Sequence, residues 1–324
     1  MEINQLPLLS VIIPVYNVER YIERCARSLF SQKLENIEFI FVDDCSPDNS
    51  INVLKRVVEE FQSKCAQMHW DVRIEKMPRN SGQAAVREHG IHVSQGLYIT
   101  HCDSDDWVNE NIYLKMLTVA KESDADMVVC DYFRTDGEKH YTPVVGASNI
   151  SLCRGRYLID VLYQKFPWAL WNKIVKRDII NKAQFYPSCN LGEDMVLVAQ
   201  YIALSNKISY INSPLYYYYT NAGSIMNVTG EEKVENKYNQ LKENTKILVS
   251  AMGNFLTNKE LKIISPSLRF NMILPILPYV KIKKFRDIFK KEINEVFPYL
   301  FNFNIFWRYR VLFILIKMNL YPLR

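Results

Sequence analysis

Short apolar runs alternate with segments of helical periodicity in the first 130 residues. Residues 8–15 and 37–42 are almost uniformly apolar, as expected for strands buried on both faces of a sheet. Residues 18–33 between them place apolar side chains at helical spacing. The alternation continues with strands predicted at 72–76, 97–99 and 127–130 and with helices predicted up to about 61, at 83–94 and at 111–122. This pattern predicts an α/β fold with a parallel sheet, whose ligands bind at the carboxyl ends of the strands.

Acidic residues follow two of these strands directly. Asp43 and Asp44 come after the second strand, and Asp103, Asp105 and Asp106 come after the strand at 97–99. Because the carboxyl ends of parallel strands meet at one edge of a sheet, we expect both clusters at the same edge. Neighbouring acids repel one another unless they cap helices, face water or share a cation, and hard divalent cations prefer carboxylate oxygen.

Composition narrows the class of protein. With 324 residues and 48% hydrophobic content, the chain can bury a full core. Its seven cysteines are scattered and include no Cys-x-x-Cys pair, which favours a reducing cytosol over a disulfide framework or a zinc site. No signal peptide and no apolar run of spanning length is recognised. Neither a dinucleotide-binding nor a phosphate-loop glycine motif follows the first strand, so phosphates, if bound, need a metal ion.

The C-terminal part differs from the rest in charge and pattern. Residues 231–324 hold 17 lysines and arginines against 8 acids, a net charge of +9, whereas residues 1–230 carry −4. Helices are predicted at 231–255, 258–280 and 282–296. Residues 298–324 are rich in aromatic and aliphatic side chains and contain four cations and no acid. Such a segment favours contact with an anionic membrane surface through 281–324 over nucleic-acid binding. The alternatives are packing on the rest of the chain or a homodimer.

Seven short motifs, taken in order, resemble the inverting glycosyltransferases of family 2, which have the GT-A fold, and especially those that make bacterial surface polysaccharides. The matching motifs span about residues 8–225 and are Ser10-Val-Ile-Ile-Pro-Val-Tyr16-Asn17, Val42-Asp43-Asp44-Cys45-Ser46, Asn80-Ser81-Gly82, Asp103-Ser104-Asp105-Asp106, Trp171-Asn172-Lys173 with Gly192-Glu193-Asp194, and Pro214-Leu215-Tyr216-Tyr217-Tyr218. The resemblance implies a Rossmann-like mixed sheet at 1–225, with a donor half at 8–130 and an acceptor half at 131–225, followed by a helical region at 226–324.

The resemblance also implies how a nucleotide-sugar donor, most commonly a UDP-sugar, is bound. Asp44 would accept a hydrogen bond from the base beside the backbone of residues 14–16, and Arg87 would lie near the donor. The predicted donor-binding residues are Pro14, Val15, Tyr16, Asp44, Asn80, Gly82, Arg87, Asp103 and Ser104. Glu88 stands where the family usually has asparagine, which puts the contact of that side chain in doubt.

Catalytic roles follow from the same resemblance. Asp103 and Asp105 form an Asp-x-Asp motif, with Asp105 as the direct ligand of Mg²⁺ or Mn²⁺ on the diphosphate. Asp194 matches the catalytic base, and Glu193 is its rival. Attack at an anomeric carbon does need a held leaving group on one side and a proton acceptor on the other, and a cation and a carboxylate supply these.

Two tryptophans, the acceptor and two alternative functions complete the expectations. Trp168 and Trp171 either line the acceptor site, because aromatic faces suit sugar rings, or pack in the core. The acceptor would be a glycan or a polyprenyl-linked glycan at the inner face of the cytoplasmic membrane. The alternatives are a non-catalytic carbohydrate-binding or scaffold protein with the same fold, and a sugar nucleotidyltransferase, which would carry a glycine-rich basic loop after the first strand.

Overall fold

The computed structural model describes residues 6–138, 140–147, 154–220 and 230–296, together with 311, 314 and 315. The chain forms two compact units. Unit 1 comprises Met1–Tyr157, Ala169–Ala183 and Leu204–Asn221, and unit 2 comprises Leu158–Trp168, Gln184–Ala203 and Ala222–Arg324. Unit 2 thus combines the C-terminal residues with two segments of the predicted catalytic region 1–225.

A nine-stranded mixed sheet forms the centre of unit 1. Its strands are β1 (Leu9–Val15), β2 (Ile37–Asp43), β3 (Asp71–Lys76), β4 (Tyr98–His101), β5 (Trp107–Val108), β6 (Met127–Thr135), β7 (Tyr141–Val144), β8 (Lys173–Lys176) and β9 (Ile208–Tyr219). The order across the sheet is β3-β2-β1-β4-β8-β6-β9-β5, and β7 pairs with β6.

Helices connect these strands. They are α1 (Ile22–Leu29), α2 (Ser50–Glu60), α3 (Gln62–Gln67), α4 (Gln83–Val93), α5 (Ile112–Ser123), α6 (Arg154–Leu162), α7 (Arg177–Asn181) and α8 (Glu193–Leu204). Every residue of β2 is buried, and β1 is buried except at the half-buried Pro14. The largely apolar sequence of these two strands therefore reflects a position inside the sheet, with a strand on each side and both faces covered.

The pairing register places both acidic clusters at one edge. β1 runs parallel to β2, with Val15 opposite Asp43, and parallel to β4, with Ile12 opposite His101. Both strands therefore end at the same side of the sheet, as the alternation of strands and helices predicts. Asp44 follows one of them, and residues 103–106 follow the other.

The second half of the sheet is not parallel. β8 pairs antiparallel with β4 and with β6, whereas β9 runs parallel to β6 with an irregularity at Asp131. The mixed α/β fold class with a helical C-terminal part is confirmed. The alternation of strands and helices suggests a purely parallel sheet, and this prediction is wrong beyond β4. There β8 and β5, with four and two residues, run antiparallel to the strands beside them.

Unit 2 is helical in its C-terminal part. Its elements there are α9 (Glu231–Met252), α10 (Asn258–Ile273), a 3-10 helix (Leu274–Tyr279) and α11 (Lys283–Val296). Their apolar faces form a core that includes Val234, Tyr238, Ile273, Ile276, Phe285, Phe289 and Ile293. Within this core Glu292 accepts hydrogen bonds from the Tyr238 hydroxyl and the Arg269 guanidinium, both at 2.9 Å. Burying a carboxylate is tolerated here because two donors satisfy it.

The structure describes the predicted C-terminal helices but few of the residues that follow them. In the part of the chain that the structure describes, no helix is long and apolar enough to span a bilayer. The predicted aromatic and basic segment at 298–324 lies outside the described residues apart from 311, 314 and 315. The predicted α9 and α11 helices agree with the structure to within three residues at each end.

Candidate active site

Residues 103–106, here called the carboxylate loop, connect β4 to β5 and are fixed by their last member. Asp106 is completely buried and accepts hydrogen bonds from the Tyr216 hydroxyl and the Tyr219 amide, both at 2.7 Å. Burial and the other carboxylates of the loop raise the pKa of Asp106 well above its ordinary value. Asp106 therefore anchors the loop to β9, and a ligand would meet the other acids of the loop.

Tyr216 joins two acids of the carboxylate loop. Its buried hydroxyl donates to Asp106 and accepts a hydrogen bond from the backbone N–H of Asp103 at 3.1 Å. The Trp171 ring stacks on the Tyr216 ring, with centroids 4.2 Å apart. Trp171 is buried and so supports the loop through packing, whereas acceptor binding by Trp171 stays a prediction.

Arg24 of α1 holds the loop from the other side. Its guanidinium donates to the backbone carbonyl of Asp105 at 2.8 Å. It lies 3.8 Å from the centroid of the Trp107 ring and 4.8 Å from that of the Tyr219 ring, a double cation–π arrangement. The sequence offers no signal for this role, because an arginine in an amphipathic helix is usually a surface residue.

The buried Arg87 forms an ion pair with the half-buried Asp103. Arg87 is 3% exposed, and its guanidinium lies 2.6 Å from the Asp103 carboxylate. The arginine comes from the middle of α4, and the aspartate comes from the carboxylate loop that follows β4, the next element of the chain. The Arg87 guanidinium, which can donate two parallel hydrogen bonds, is thus held beside the carboxylate loop. Its positive charge would attract an anionic nucleotide sugar.

Asp44 fixes the start of α4. Its two carboxylate oxygens accept hydrogen bonds from the backbone N–H groups of Ser81 (2.7 Å) and Gly82 (2.8 Å). Gly82 has a φ of +83°, a conformation that glycine adopts without the steric cost of a Cβ atom. Asp44 therefore connects the end of β2 to the helix that carries Arg87. Each oxygen keeps a second lone pair that a nucleotide base could use.

The remaining predicted donor residues lie around this edge. The N–H of Asp44 donates to the carbonyl of Val15 at 3.0 Å, so the ends of β1 and β2 are held together. Tyr16 and Asn80 are exposed, and Ser104 is buried. The structure thus brings the predicted donor residues of unit 1 to one side of the sheet. Their individual contacts with a nucleotide, including those of Pro14, stay predictions.

Asp103 and Asp105 provide carboxylate oxygens, the ligand atoms that divalent cations such as Mg²⁺ prefer. Burial, with the charge of Asp103, raises the pKa of Asp105 to about 6. A bound cation would oppose this effect, because it favours the ionised form of Asp105. Among the described residues no three His, Cys, Asp or Glu side chains cluster as a self-sufficient metal site. Asp103 and Asp105 would therefore hold Mg²⁺ or Mn²⁺ only together with phosphate oxygens and water, as is usual for Mg²⁺.

The predicted base and its rival belong to unit 2. Glu193 and Asp194 form the first turn of α8, and the N–H of Met195 donates to the Asp194 carboxylate at 2.8 Å. Glu193 is buried and Asp194 is half-buried. Carboxylates are favoured at a helix N-terminus, so each side chain also has a structural reason to be there. Trp168, in the same unit, is half-buried, and acceptor binding by it stays a prediction.

Comparison with known proteins gives a family match and several curated relatives, two of which come from Streptococcus pneumoniae. Residues 10–188 match Glycosyl transferase family 2. Glycosyltransferase GlyG of Streptococcus pneumoniae is 31% identical over 228 residues, which are 68% of this chain and 73% of GlyG. Glycosyltransferase GlyA of the same organism is 30% identical over 235 residues, or 69% of this chain. The chain spans only 32% of the length of GlyA, so GlyA contains much that this chain does not cover.

Among solved structures, S. aureus TarS has a similar fold. The structure of its residues 1–349 aligns with a TM-score of 0.66 at 18% identity, and the alignment covers 96% of this chain and 87% of that fragment. The complex of TarS with UDP-GlcNAc aligns with a TM-score of 0.60. At this identity the likeness concerns the fold, which agrees with the mixed sheet and C-terminal helices described above.

Proposed function

The chain belongs to glycosyl transferase family 2, and on that premise we propose that it is an inverting glycosyltransferase that uses a UDP-sugar. The acceptor is a hydroxyl group of a glycan or a lipid-linked glycan in bacterial surface polysaccharide synthesis. One observation carries the proposal. The carboxylate loop, fixed by Tyr216 and Arg24, lies with Arg87 at the sheet edge that also holds Asp44.

Different residues at this edge would bind the base and the diphosphate of the nucleotide sugar. Asp44 and the exposed Tyr16 are suited to a nucleotide base, because a carboxylate accepts a base N–H and an aromatic ring stacks on a base. Arg87 and the carboxylate loop are suited to the diphosphate. Support for UDP comes from the TarS complex, which contains UDP-GlcNAc in the same fold.

The metal site is proposed at Asp103 and Asp105. A divalent cation bound there would neutralise the diphosphate and stabilise the charge that develops on the leaving group. The ion pair with Arg87 holds the Asp103 carboxylate in place, and Arg24 holds the backbone of Asp105. The carboxylate of Asp103 and the backbone of Asp105 are therefore held in place before any ligand binds, which lowers the cost of reorganising the loop during the reaction.

Asp194 is proposed as the general base. The acceptor oxygen attacks the anomeric carbon while the bond from that carbon to the diphosphate oxygen breaks. The hydroxyl proton passes to Asp194, and the nucleoside diphosphate leaves with the bonding electron pair. A single displacement of this kind inverts the anomeric configuration. Asp194 is preferred to Glu193 because it is the more exposed of the two.

The donor is tested by a thermal-shift comparison of UDP-sugars and GDP-sugars with and without Mn²⁺. We expect one UDP-sugar to raise the Tm of the full chain, since a ligand that binds only the folded state stabilises it by about 2.7 kcal/mol at a hundredfold excess over Kd. The shift should disappear when the metal is chelated. If no nucleotide sugar shifts the Tm with Mn²⁺ present, the proposed donor class is wrong.

A peripheral membrane contact is proposed for α11 and the residues before it. Among residues 281–296 five lysines are exposed, against two exposed acids, Asp287 and Glu295. The exposed lysines are Lys281, Lys283, Lys284, Lys290 and Lys291. Basic side chains near an anionic bilayer contribute about 1 kcal/mol each. Such a contact at the inner face of the cytoplasmic membrane would bring the enzyme to a lipid-linked acceptor.

Vesicle sedimentation tests this contact. We expect the full chain to bind phosphatidylglycerol vesicles and not phosphatidylcholine vesicles, and the pair of changes K290E and K291E to weaken binding about tenfold or more. The matched control is the pair K259E and K262E, which makes the same charge change at exposed lysines of α10. Equal weakening by both pairs, or no binding by the wild type, would show that α11 is not the membrane surface.

A further inference from the structure

In unit 2, α9 holds the loop that leads to the Glu193–Asp194 pair. Asn244 lies in the middle of α9, and its side chain is completely buried. Its side-chain oxygen accepts a hydrogen bond from the N–H of Ser188 at 3.1 Å. Its side-chain nitrogen donates to the carbonyl of Cys189 at 2.8 Å and to that of Leu191 at 2.9 Å. One amide thus binds the backbone of residues 188–191 at three points.

Two neighbours of Asn244 contact the same loop. Gln240, one turn earlier, accepts a hydrogen bond from the N–H of Leu191 at 3.0 Å. Leu241 lies so close to Gly192 that a Cβ atom on this glycine would be 3.2 Å from the leucine side chain. Gly192 also has a φ of +79°, so no other residue fits there without strain. Residues 240, 241 and 244 are here called the α9 clamp.

The start of the loop is fixed as well. Gln200 of α8 accepts a hydrogen bond from the N–H of Phe185 at 3.1 Å and donates to the carbonyl of Phe185 at 2.7 Å. Residues 185–191 are therefore bound at one end by the helix that follows them and at the other by α9. The loop ends at Gly192, directly before the two carboxylates.

This arrangement demands an amide at position 244. The site needs one acceptor and two donors within one buried side chain, which asparagine provides. Aspartate has the same shape but would direct an acceptor at two carbonyl oxygens, and leucine would leave three backbone groups without partners. Each buried polar group left unsatisfied costs about 1–3 kcal/mol. The contacts of Asn244 therefore favour one conformation of the loop over its alternatives.

We propose that Asn244 is a positioning residue that fixes Asp194 for proton abstraction through the loop at 188–192. The proposal rests on the proposed role of Asp194 as base. α9 lies outside residues 10–188, the part of the chain that matches the family. In this proposal the C-terminal helices therefore contribute to catalysis in addition to the proposed membrane contact. A misplaced base loses rate because proton transfer depends on the distance and alignment of the base and the acceptor hydroxyl.

The test compares Asn244→Asp with Tyr238→Phe, a matched control. Tyr238 is a buried residue of α9 whose hydroxyl bonds Glu292, so Tyr238→Phe also removes a buried hydrogen bond from unit 2 but leaves the loop intact. We expect Asn244→Asp to lower kcat by about 10- to 100-fold with the KM for the donor unchanged. Tyr238→Phe should leave kcat within about twofold of the wild type. Wild-type kcat in Asn244→Asp, or an equal loss in the control, would overturn the proposal.

A double variant separates this proposal from the assignment of the base. If Asn244 acts through Asp194, the double variant Asn244→Asp and Asp194→Asn should be no slower than Asp194→Asn alone. Multiplicative losses would show that Asn244 acts elsewhere and overturn the proposal. If Asp194→Asn itself keeps the wild-type rate, the assigned base is wrong, whatever the result at Asn244.

A second pair of variants serves if Asn244→Asp fails to fold. Gln240→Glu keeps an oxygen that can accept from the N–H of Leu191, whereas Gln240→Leu does not. We expect Gln240→Glu to retain kcat and Gln240→Leu to lower it by about 3- to 10-fold, as expected for one lost neutral hydrogen bond. Equal kcat values in the two variants would contradict a role of the α9 clamp in positioning the base.

Discussion

Asparagine in place of Asp105 should lower kcat for sugar transfer by about 10²- to 10³-fold, the loss seen when one preorganised electrostatic contact to a developing charge is removed. Asp105 is the proposed direct metal ligand, and asparagine is a weaker ligand because it is neutral. Transfer is measured as UDP released in the presence of Mn²⁺ over a range of metal concentrations. We expect the residual activity to need a higher Mn²⁺ concentration than the wild type does.

The same variant should not unfold the protein. The folded structure raises the pKa of Asp105 from 3.8 to about 6, so at pH 7 the ionised carboxylate opposes folding of the metal-free chain. Asparagine removes this charge, and the Tm without metal should stay the same or rise. The control is Asp124→Asn at an exposed, left-handed position that suits asparagine, and it should keep full activity. Full activity of Asp105→Asn in excess chelator would refute the metal site.

Asparagine in place of Asp194 should lower kcat by about 10²- to 10⁴-fold, the usual contribution of a positioned general base. The affinity for UDP should not change, because the proposed donor residues all belong to unit 1 and Asp194 belongs to unit 2. Single-turnover transfer and equilibrium binding of UDP, measured on the same preparation, separate the two effects. Loss of UDP binding together with transfer would contradict a role limited to proton abstraction.

Glu193→Gln serves as the comparison for Asp194→Asn. Glu193 is only 6% exposed, which leaves it less accessible to an acceptor than the half-buried Asp194. We therefore expect Glu193→Gln to affect stability more than the chemical step. If Glu193→Gln abolishes transfer while Asp194→Asn does not, the base is Glu193.

Several features of unit 1 can be predicted from the sequence alone. β1 and β2 are interior strands buried on both faces, and such strands leave short, largely apolar runs in the sequence. Parallel strands joined by helices place their carboxyl ends together, which is why Asp44 and the carboxylate loop share an edge.

Other features cannot be read from local patterns. β5 has two residues and β8 has four, which is too short for any periodicity, and only their pairing with distant strands defines them. Residues 184–203 belong to unit 2 and contact the C-terminal helices, for example through Gln240 and Asn244. These contacts join residues about 50 positions apart, so a local sequence pattern cannot predict them.

The supporting residues of the site were the hardest to predict. Arg24 lies in an amphipathic helix, and Asn244 lies between Glu243 and Thr245 in a mostly polar helix, so both sequences suggest solvent exposure. In the structure the Arg24 guanidinium contacts the rings of Trp107 and Tyr219, and Asn244 is fully buried. Their roles come from tertiary contacts, whereas the acids they support were recognisable as a motif.

Calorimetric titration of UDP into the full chain, with Mn²⁺ and with excess chelator, measures the link between the carboxylate loop and the donor most directly. If Asp103 and Asp105 bind a cation that bridges to the diphosphate, UDP should bind wild type at least about tenfold more tightly with Mn²⁺ than without it. Asp105→Asn should lose this metal-dependent gain and keep the metal-independent affinity. Equal UDP affinity with and without Mn²⁺ in the wild type, or an undiminished gain in Asp105→Asn, would contradict the proposed site.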